Sequence, residues 1–134
     1  MPEINTKTIK QTIMVNASPH DVCEVLMDSE KHSQLTGSNA KISREIGGSF
    51  QIWDGYIEGK NIELIPDTKI VQGWRGEEKC WPQGHYSTIT IMLKEEGGRT
   101  RLDLTQEDMP EECHDNFFKG WYDNYWDPLR DIFK

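Results

Sequence analysis

Apolar and polar residues alternate through most of the chain, and this period of two predicts β-strands that are buried on one face. Glycine pairs and other turn-forming residues separate the alternating segments, as they do in hairpins. The predicted strands cover residues 6–15, 40–46, 50–53, 56–65, 68–75, 86–94 and 99–105. We expect these strands to form one antiparallel sheet.

The last predicted hairpin indicates which face of that sheet is covered. Residues of one parity are apolar, namely Ile89, Ile91, Leu93, Leu102 and Leu104. Residues of the other parity are polar, Thr90 and Arg101 among them. One side of the sheet is therefore expected to pack against another element, while the opposite side faces water.

Two short helices are predicted after the first strand. Ser18-Pro19 has the residue types of a helix N-cap and first turn, which predicts a helix from there to about Asp28. A weaker pattern predicts a second helix over residues 29–35, ended by Gly37. Neither helix is long enough to cover a sheet of this size.

The C-terminal segment 110–133 has the longest helical pattern. It opens with Pro110 and two acidic residues, which suit the start of a helix. Its apolar face contains Phe117, Phe118, Trp121, Tyr122, Tyr125, Leu129 and Ile132. Pro128 removes one backbone hydrogen bond and crowds the carbonyl of Asn124, so we expect it to kink the helix.

Together these elements predict an α+β fold of the helix-grip type, with a single domain over residues 1–134. A curved antiparallel sheet of about six or seven strands wraps the long C-terminal helix in this arrangement. The aromatic helix is assigned to the apolar face of the sheet because it alone is long enough to cover it.

Charge and hydropathy limit the possible partners and locations. The chain has 134 residues, and 15 basic against 23 acidic residues give a net charge of -8. A negative surface repels phosphate groups, so binding to nucleic acid or to a membrane surface is not expected. Residues 1–10 lack the apolar core of a secretion signal, and no apolar run is long enough to span a membrane, which predicts a cytoplasmic protein.

Three cysteines, Cys23, Cys80 and Cys113, are an odd number at wide spacing. Disulfide frameworks of secreted domains usually have an even number at tight spacing, so we expect reduced thiols. A zinc site can be imagined from His20, Cys23 and the adjacent pair Cys113-His114. Structural zinc sites usually have C-x-x-C knuckles, which are missing, and no metal or other cofactor is predicted.

An ordered set of glycine, tryptophan and proline positions resembles one known family. The most specific stretch is Trp81-Pro82-Gln83-Gly84-His85-Tyr86-Ser87-Thr88-Ile89-Thr90. The other matching positions are Gly47-Gly48, Phe50, Gly55, Gly59, Leu64-Ile65-Pro66, Ile70-Val71, Trp74-Arg75, Gly120-Trp121 and Tyr125. The chain resembles the activator of heat-shock-protein-90 ATPase family, of the C-terminal-domain type, within the START-like, birch-allergen-like SRPBCC superfamily.

This resemblance implies a co-chaperone-like protein of the stress response. In that family the C-terminal domain binds the nucleotide-binding domains of the chaperone, and a separate N-terminal domain drives most of the ATPase stimulation. The leading prediction is therefore a non-enzymatic interaction domain with a heat-shock-protein-90-type chaperone as partner. Other members of the superfamily bind lipids, sterols or polyketides between sheet and helix, which gives the alternative of a carrier for a small apolar ligand.

Aromatic residues are the strongest candidates for a binding site, because they combine large apolar surfaces with polar tips. The candidate ligand- or partner-binding residues are Trp53, Trp74, Trp81, His85, Trp121 and Tyr125. His85 is interpreted either as a polar anchor at the mouth of a cavity or as a loop residue that bonds the backbone. The acidic residues form runs without a separated acid and base, so an enzyme is the least favoured hypothesis and no catalytic residue is assigned.

Overall fold

The computed structural model describes residues 4–134, so the first three residues of the predicted domain lie outside the described part. In that part seven strands form one antiparallel sheet in the spatial order β1-β7-β6-β5-β4-β3-β2. The strands are β1 (Thr6–Val15), β2 (Ala40–Ile42), β3 (Ser49–Ile52), β4 (Ile57–Ile65), β5 (Lys69–Gly76), β6 (Ser87–Glu96) and β7 (Arg99–Pro110). This arrangement confirms the predicted sheet.

The α-helices within residues 4–134 are α1 (Pro19–Met27), α2 (Ser29–Thr36), α3 (His114–Trp121) and α4 (Asp127–Ile132). Ser18 caps α1 as predicted, because its hydroxyl accepts the backbone N–H of Asp21 at 3.2 Å. Gly37 ends α2 in the left-handed conformation, with φ of 77°. None of these helices is both long and apolar enough to cross a membrane.

The predicted faces of the last hairpin are confirmed by the register of β6 and β7. Ile91 lies opposite Leu104, and Leu93 lies opposite Leu102. All four side chains are buried, whereas Thr90 on the other face is half-buried. The apolar face of the sheet and the helices therefore enclose one core.

Two strands end at places that differ from the prediction. β2 stops at Ile42, since the Asn61 side chain donates to the carbonyls of Ser43 and Glu45, at 2.7 and 3.0 Å, and holds the following residues in a turn. β7 continues past residue 105 to Pro110, because it pairs with β1 as far as Thr6. The helical segment therefore begins at Glu111, one residue after the predicted start at Pro110.

The C-terminal segment is not one regular helix. It begins with the 3-10 turn Glu111–Cys113, continues as α3, widens into the π-helical turn Tyr122–Trp126 and ends as α4. The backbone N–H of Asp127 donates to the carbonyl of Tyr122, five residues earlier. The kink expected at Pro128 stays a prediction; the structure has a widened turn directly before this proline, which lies in the first turn of α4.

Buried glutamines join this segment to the sheet. Gln11 on β1 accepts the indole N–H of Trp126 at 2.7 Å and donates to the carbonyl of Phe118 at 2.8 Å. Gln106 on β7 accepts the indole N–H of Trp121 at 2.9 Å. Gln11 therefore interrupts the apolar pattern of the first strand as a buried residue whose polar groups are hydrogen-bonded to the C-terminal segment.

The cysteines differ from the expectation of three reduced thiols. Cys80 and Cys113 form a disulfide, with their Cα atoms 6.0 Å apart and a sequence separation of 33. The bond ties the segment after β5 to the 3-10 turn that precedes α3. Cys23 is free and buried, and burial raises the pKa of its thiol. The prediction was wrong for one pair because an odd count says nothing about which two residues the fold brings together.

Candidate functional site

A cleft of about 360 Å³ opens beside α3. Six aromatic residues contribute to its surface, namely Trp53, Tyr56, Trp74, Phe117, Trp121 and Tyr125. Trp53 and Tyr56 come from the turn between β3 and β4, Trp74 from β5, and the remaining three from the C-terminal segment. The size and the aromatic surface are those of a small-molecule site, which typically occupies roughly 300–1,000 Å³.

The floor of the cleft consists of three buried rings. Trp121 lies between Trp74 and Tyr125, with ring centroids 5.6 and 4.9 Å away. Each of the three side chains is at most 4% exposed. These contacts fix the floor in place before any ligand arrives.

Two further rings form walls at nearly right angles to the floor. Trp53 lies 5.7 Å from Tyr125 at 85°, and Phe117 lies 5.5 Å from Trp74 at 85°. Trp53 has a positive φ of 52°, which is uncommon for a bulky residue and costs free energy. The fold therefore holds Trp53 in an unfavourable backbone conformation that places its ring against the cleft.

The space behind the floor is almost filled. A void of about 20 Å³ lies between the sheet and the C-terminal segment, bounded among others by Leu26, Ile91 and Tyr125. A volume of this size holds about one water molecule. The aromatic floor thus separates an open cleft from a packed core.

His32 is hydrogen-bonded to Tyr125 and holds this ring in the floor of the cleft. The two ring nitrogens of His32 lie 3.0 Å from the carbonyl of Leu26 and 3.0 Å from the hydroxyl of Tyr125. Because a carbonyl can only accept, Nδ1 carries the proton and Nε2 accepts from Tyr125. Burial lowers the pKa of His32 and raises the pKa of Tyr125, so both side chains stay neutral near pH 7.

The polar rim contains Glu78, Asn116 and Asn124. The hydroxyl of Tyr56 donates to a carboxylate oxygen of Glu78 at 2.5 Å. Burial and this hydrogen bond raise the pKa of Tyr56 well above its usual range. Tyr56 therefore remains protonated and holds the Glu78 carboxylate at the mouth of the cleft.

Four of the six predicted binding residues line the cleft: Trp53, Trp74, Trp121 and Tyr125. Trp81 is buried beside it, against Trp74 and Phe117, and its indole N–H has no hydrogen-bond partner within residues 4–134. This residue supports the floor and one wall instead of contributing to the cleft surface.

Of the two interpretations of His85, the structure shows the loop residue that hydrogen-bonds the backbone. Its Nε2 donates to the carbonyl of Asp108 at 2.8 Å, and its ring lies 6.0 Å from that of Trp81. Arg75 donates to the carbonyl of the same histidine at 3.1 Å. These bonds fasten the loop that carries Trp81 behind the cleft.

Sequence reasoning missed Tyr56, Glu78, Phe117 and His32 as parts of the site. Tyr56 and Glu78 are 22 residues apart, and His32 and Tyr125 are 93 residues apart. Phe117 was recognised only as part of an apolar helix face. No local pattern connects these residues, because the sheet brings them together.

The residues of the imagined zinc site lie on separate parts of the structure. His20 lies 3.1 Å from Asp67 and 3.9 Å from Glu24, and His114 bonds Asp115 at 2.9 Å. Cys113 is in the disulfide. No three metal-ligating side chains converge within the described residues.

Comparison with known proteins identifies relatives over nearly the whole chain. A sequence model of the family described as "Activator of Hsp90 ATPase homolog 1-like protein" matches residues 16–134. Activator of 90 kDa heat shock protein ATPase homolog 1 from Homo sapiens is 29% identical over 126 residues, which are 94% of this chain and 36% of the relative. The Dictyostelium discoideum homolog is 32% identical over 129 residues, 96% of this chain and 33% of the relative. The chain spans about a third of the length of these relatives.

The fold also has solved counterparts. The crystal structure of an HSP90 activator from Plasmodium falciparum matches with a TM-score of 0.87 at 23% identity, covering 96% of each chain. At this identity the likeness shows the shared fold. The predicted helix-grip, START-like architecture and the family resemblance are confirmed.

Proposed function

Because the chain belongs to the Activator of Hsp90 ATPase homolog 1-like family, we propose that it is a non-enzymatic interaction domain that binds a heat-shock-protein-90-type chaperone. The observation that carries this proposal is the family match over residues 16–134, which includes every helix and six of the seven strands of the described part. The relatives are about three times as long, so the proposal concerns binding and not the full activity of those proteins.

The packing beneath the sheet supports an interaction domain over a carrier that encloses its ligand. A carrier of the START-like type would hold its ligand between the sheet and the C-terminal segment. That space is filled here by residues such as Met109, Trp126 and Leu129, each fully buried, and about 20 Å³ remains. Displacing such a core would cost several kcal/mol per large side chain.

The chemistry of the buried polar groups supports a non-enzymatic role. General acid–base catalysis needs a group that gains and loses a proton near the working pH and reaches the substrate. His32 and Tyr125 are bonded to each other, and burial shifts both pKa values so that the neutral forms persist. Of the other titratable residues that line the cleft, Tyr56 and Glu78 are hydrogen-bonded to each other and not to Tyr125.

Titration calorimetry with a heat-shock-protein-90-type chaperone and nucleotide tests the proposal. We expect weaker binding than for a two-domain activator. Two linked domains that contact the same partner together raise the overall affinity, and here one domain is tested. ATP hydrolysis should rise little on addition of this chain. Absence of heat at high micromolar concentration would contradict the proposal.

Salt dependence provides the specificity control for that experiment. The net charge of -8 favours a basic partner surface, so affinity should fall as ionic strength rises. An unrelated protein of similar size and net charge should give no heat under the same conditions. Equal heats from both proteins would show that the association reflects charge alone.

A second candidate function is binding of a small ligand in the cleft, outside the packed core. The six aromatic residues and the volume of about 360 Å³ favour it. A panel of apolar ligands should shift the amide NMR signals near Trp53 and Trp121. If no ligand shifts these signals while the chaperone binds, the first function stands alone.

A further inference from the structure

The charge of the cleft is negative. Among the described residues that line it, Glu78 is the charged one, and none is Lys, Arg or His. From this carboxylate and the surrounding rings, we infer that the cleft binds a small organic cation with an alkylammonium group. The inference rests on the cleft being a ligand site, which is the second candidate function above.

The arrangement of the rings suits a cation. The face of an aromatic ring carries partial negative charge and attracts an ammonium group within about 6 Å of its centroid. Here Trp53 and Phe117 stand at 85° to the floor rings Tyr125 and Trp74. Trp53, Tyr56 and Phe117 are only half-buried, so parts of their rings stay accessible to a compact group in the cleft.

Glu78 supplies the opposite charge at the rim. Tyr56 donates its hydroxyl to this carboxylate, which fixes one oxygen and leaves the other for a ligand. Asn116 and Asn124 add amide oxygens that can accept hydrogen bonds from polar substituents. The rings would hold the alkyl groups of the cation, and Glu78 would neutralise its charge.

Other ligand classes fit less well. An anion would meet a carboxylate and ring faces without a cationic side chain to bind it. A neutral apolar ligand would contact the rings but would gain nothing from Glu78. The nearby Lys119 forms an ion pair with Asp123 and does not line the cleft.

A matched pair of probes tests the inference. Choline carries a quaternary nitrogen, and neohexyl alcohol has the same shape with carbon in its place. In amide NMR titrations, choline should shift the signals of Trp53, Tyr56 and Phe117 and should bind about 5–10-fold more tightly than the alcohol. Equal affinities, or no choline shifts at tens of millimolar, would overturn the inference.

Two carboxylate variants locate the effect. Glu78→Gln should weaken choline binding about threefold or more and leave binding of the alcohol unchanged. Glu77→Gln removes the same charge from an exposed neighbour outside the cleft and should leave both unchanged. Equal effects of the two variants would mean that choline responds to net charge, which would overturn the proposed site.

A second pair of variants tests the rings. Trp53→Phe should retain most of the preference for choline over the alcohol, whereas Trp53→Leu should reduce it; the amide spectrum of each variant shows whether it is folded. A cleft that binds only the alcohol would contradict the cation inference and leave the second candidate function standing. Failure of both probes would overturn the cation inference, while the second candidate function would still be decided by the panel of apolar ligands and the first by the chaperone titration.

Discussion

The C-terminal helical segment has a closed end and an open end. At the closed end Trp126 and Leu129 are fully buried, and the indole of Trp126 is bonded to Gln11 on β1. At the open end Phe117 is half-buried and Gly120 has no side chain, so the cleft remains. Both ends carry aromatic residues at the same helical spacing.

Buried glutamines on two strands hold indole rings of the segment in place. β1 presents Gln11 to Trp126, and β7 presents Gln106 to Trp121, so each indole N–H has a buried acceptor. Trp81, next to the open end, is buried without one. The aromatic helix face contacts the sheet at both ends, and the cleft opens where Phe117 is half-buried and Gly120 has no side chain.

The largest expected effect comes from truncating the closed end. Trp126→Ala should lower the free energy of unfolding by about 3–5 kcal/mol through lost packing. A further cost of about 1–3 kcal/mol should follow because Gln11 loses its donor. Phe117→Ala at the open end should cost less than about 2 kcal/mol, because its ring is half-exposed. Urea unfolding measures both, and equal costs would contradict the distinction between the two ends.

The disulfide should have the next largest effect, because it fastens the open end. Cys80→Ser should lower the free energy of unfolding by roughly 3–4 kcal/mol, as expected when a loop of this length is released. A reductant should destabilise the wild-type chain to a similar degree and leave Cys80→Ser unchanged. Cys23→Ala, which removes a thiol outside the disulfide, serves as control and should not alter the response to reductant.

Acid should loosen the open end through His32. The pKa of His32 is lowered in the folded chain, whereas in the unfolded chain it has the ordinary histidine value of about 6.5. Below that pH the unfolded chain therefore binds more protons at this residue than the folded chain does. The free energy of unfolding should therefore fall as pH decreases from about 7 to 5. This range lies above the titration of Glu24, whose carboxylate pKa is lowered by Arg44.

His32→Gln provides the comparison for that pH series. The variant should have a lower free energy of unfolding at neutral pH but a flatter dependence on pH between about 5 and 7. Signals of Tyr125 should change in this range before those of Trp126, since His32 bonds the former. Parallel pH profiles for the two proteins would show that His32 does not cause the loss.

The parts of the fold that were predicted correctly depend on neighbours in sequence. The parity of the last hairpin and the cap at Ser18 follow from residues a few positions apart. Gln11 is separated from Trp126 by 115 positions. In the sequence it shows only as a polar residue that interrupts the alternating pattern of the first strand, and its hydrogen bond to Trp126 could not be predicted. Sequence periodicity reports which face is apolar, and it does not report which distant polar groups meet within that face.

The same limit applies to the candidate site. Four of the predicted residues line the cleft, because they lie on elements whose faces the sequence predicted. Trp81 and His85 were predicted for the same site, yet the structure places them behind it, in a loop held by Arg75. The pair Tyr56–Glu78 depends on how two turns approach each other, which no local pattern records.

The position of β1 has a consequence for synthesis on the ribosome. This strand pairs with β7 alone, and Thr6 lies opposite Pro110. At roughly 5–20 residues per second, the intervening chain takes about 5–20 s to make, and during that time the strand has no partner. Exposed edges invite pairing with other chains, and lysines on them oppose it. The exposed Lys7 and Lys10 would thus oppose association of the nascent strand with other chains until β7 emerges.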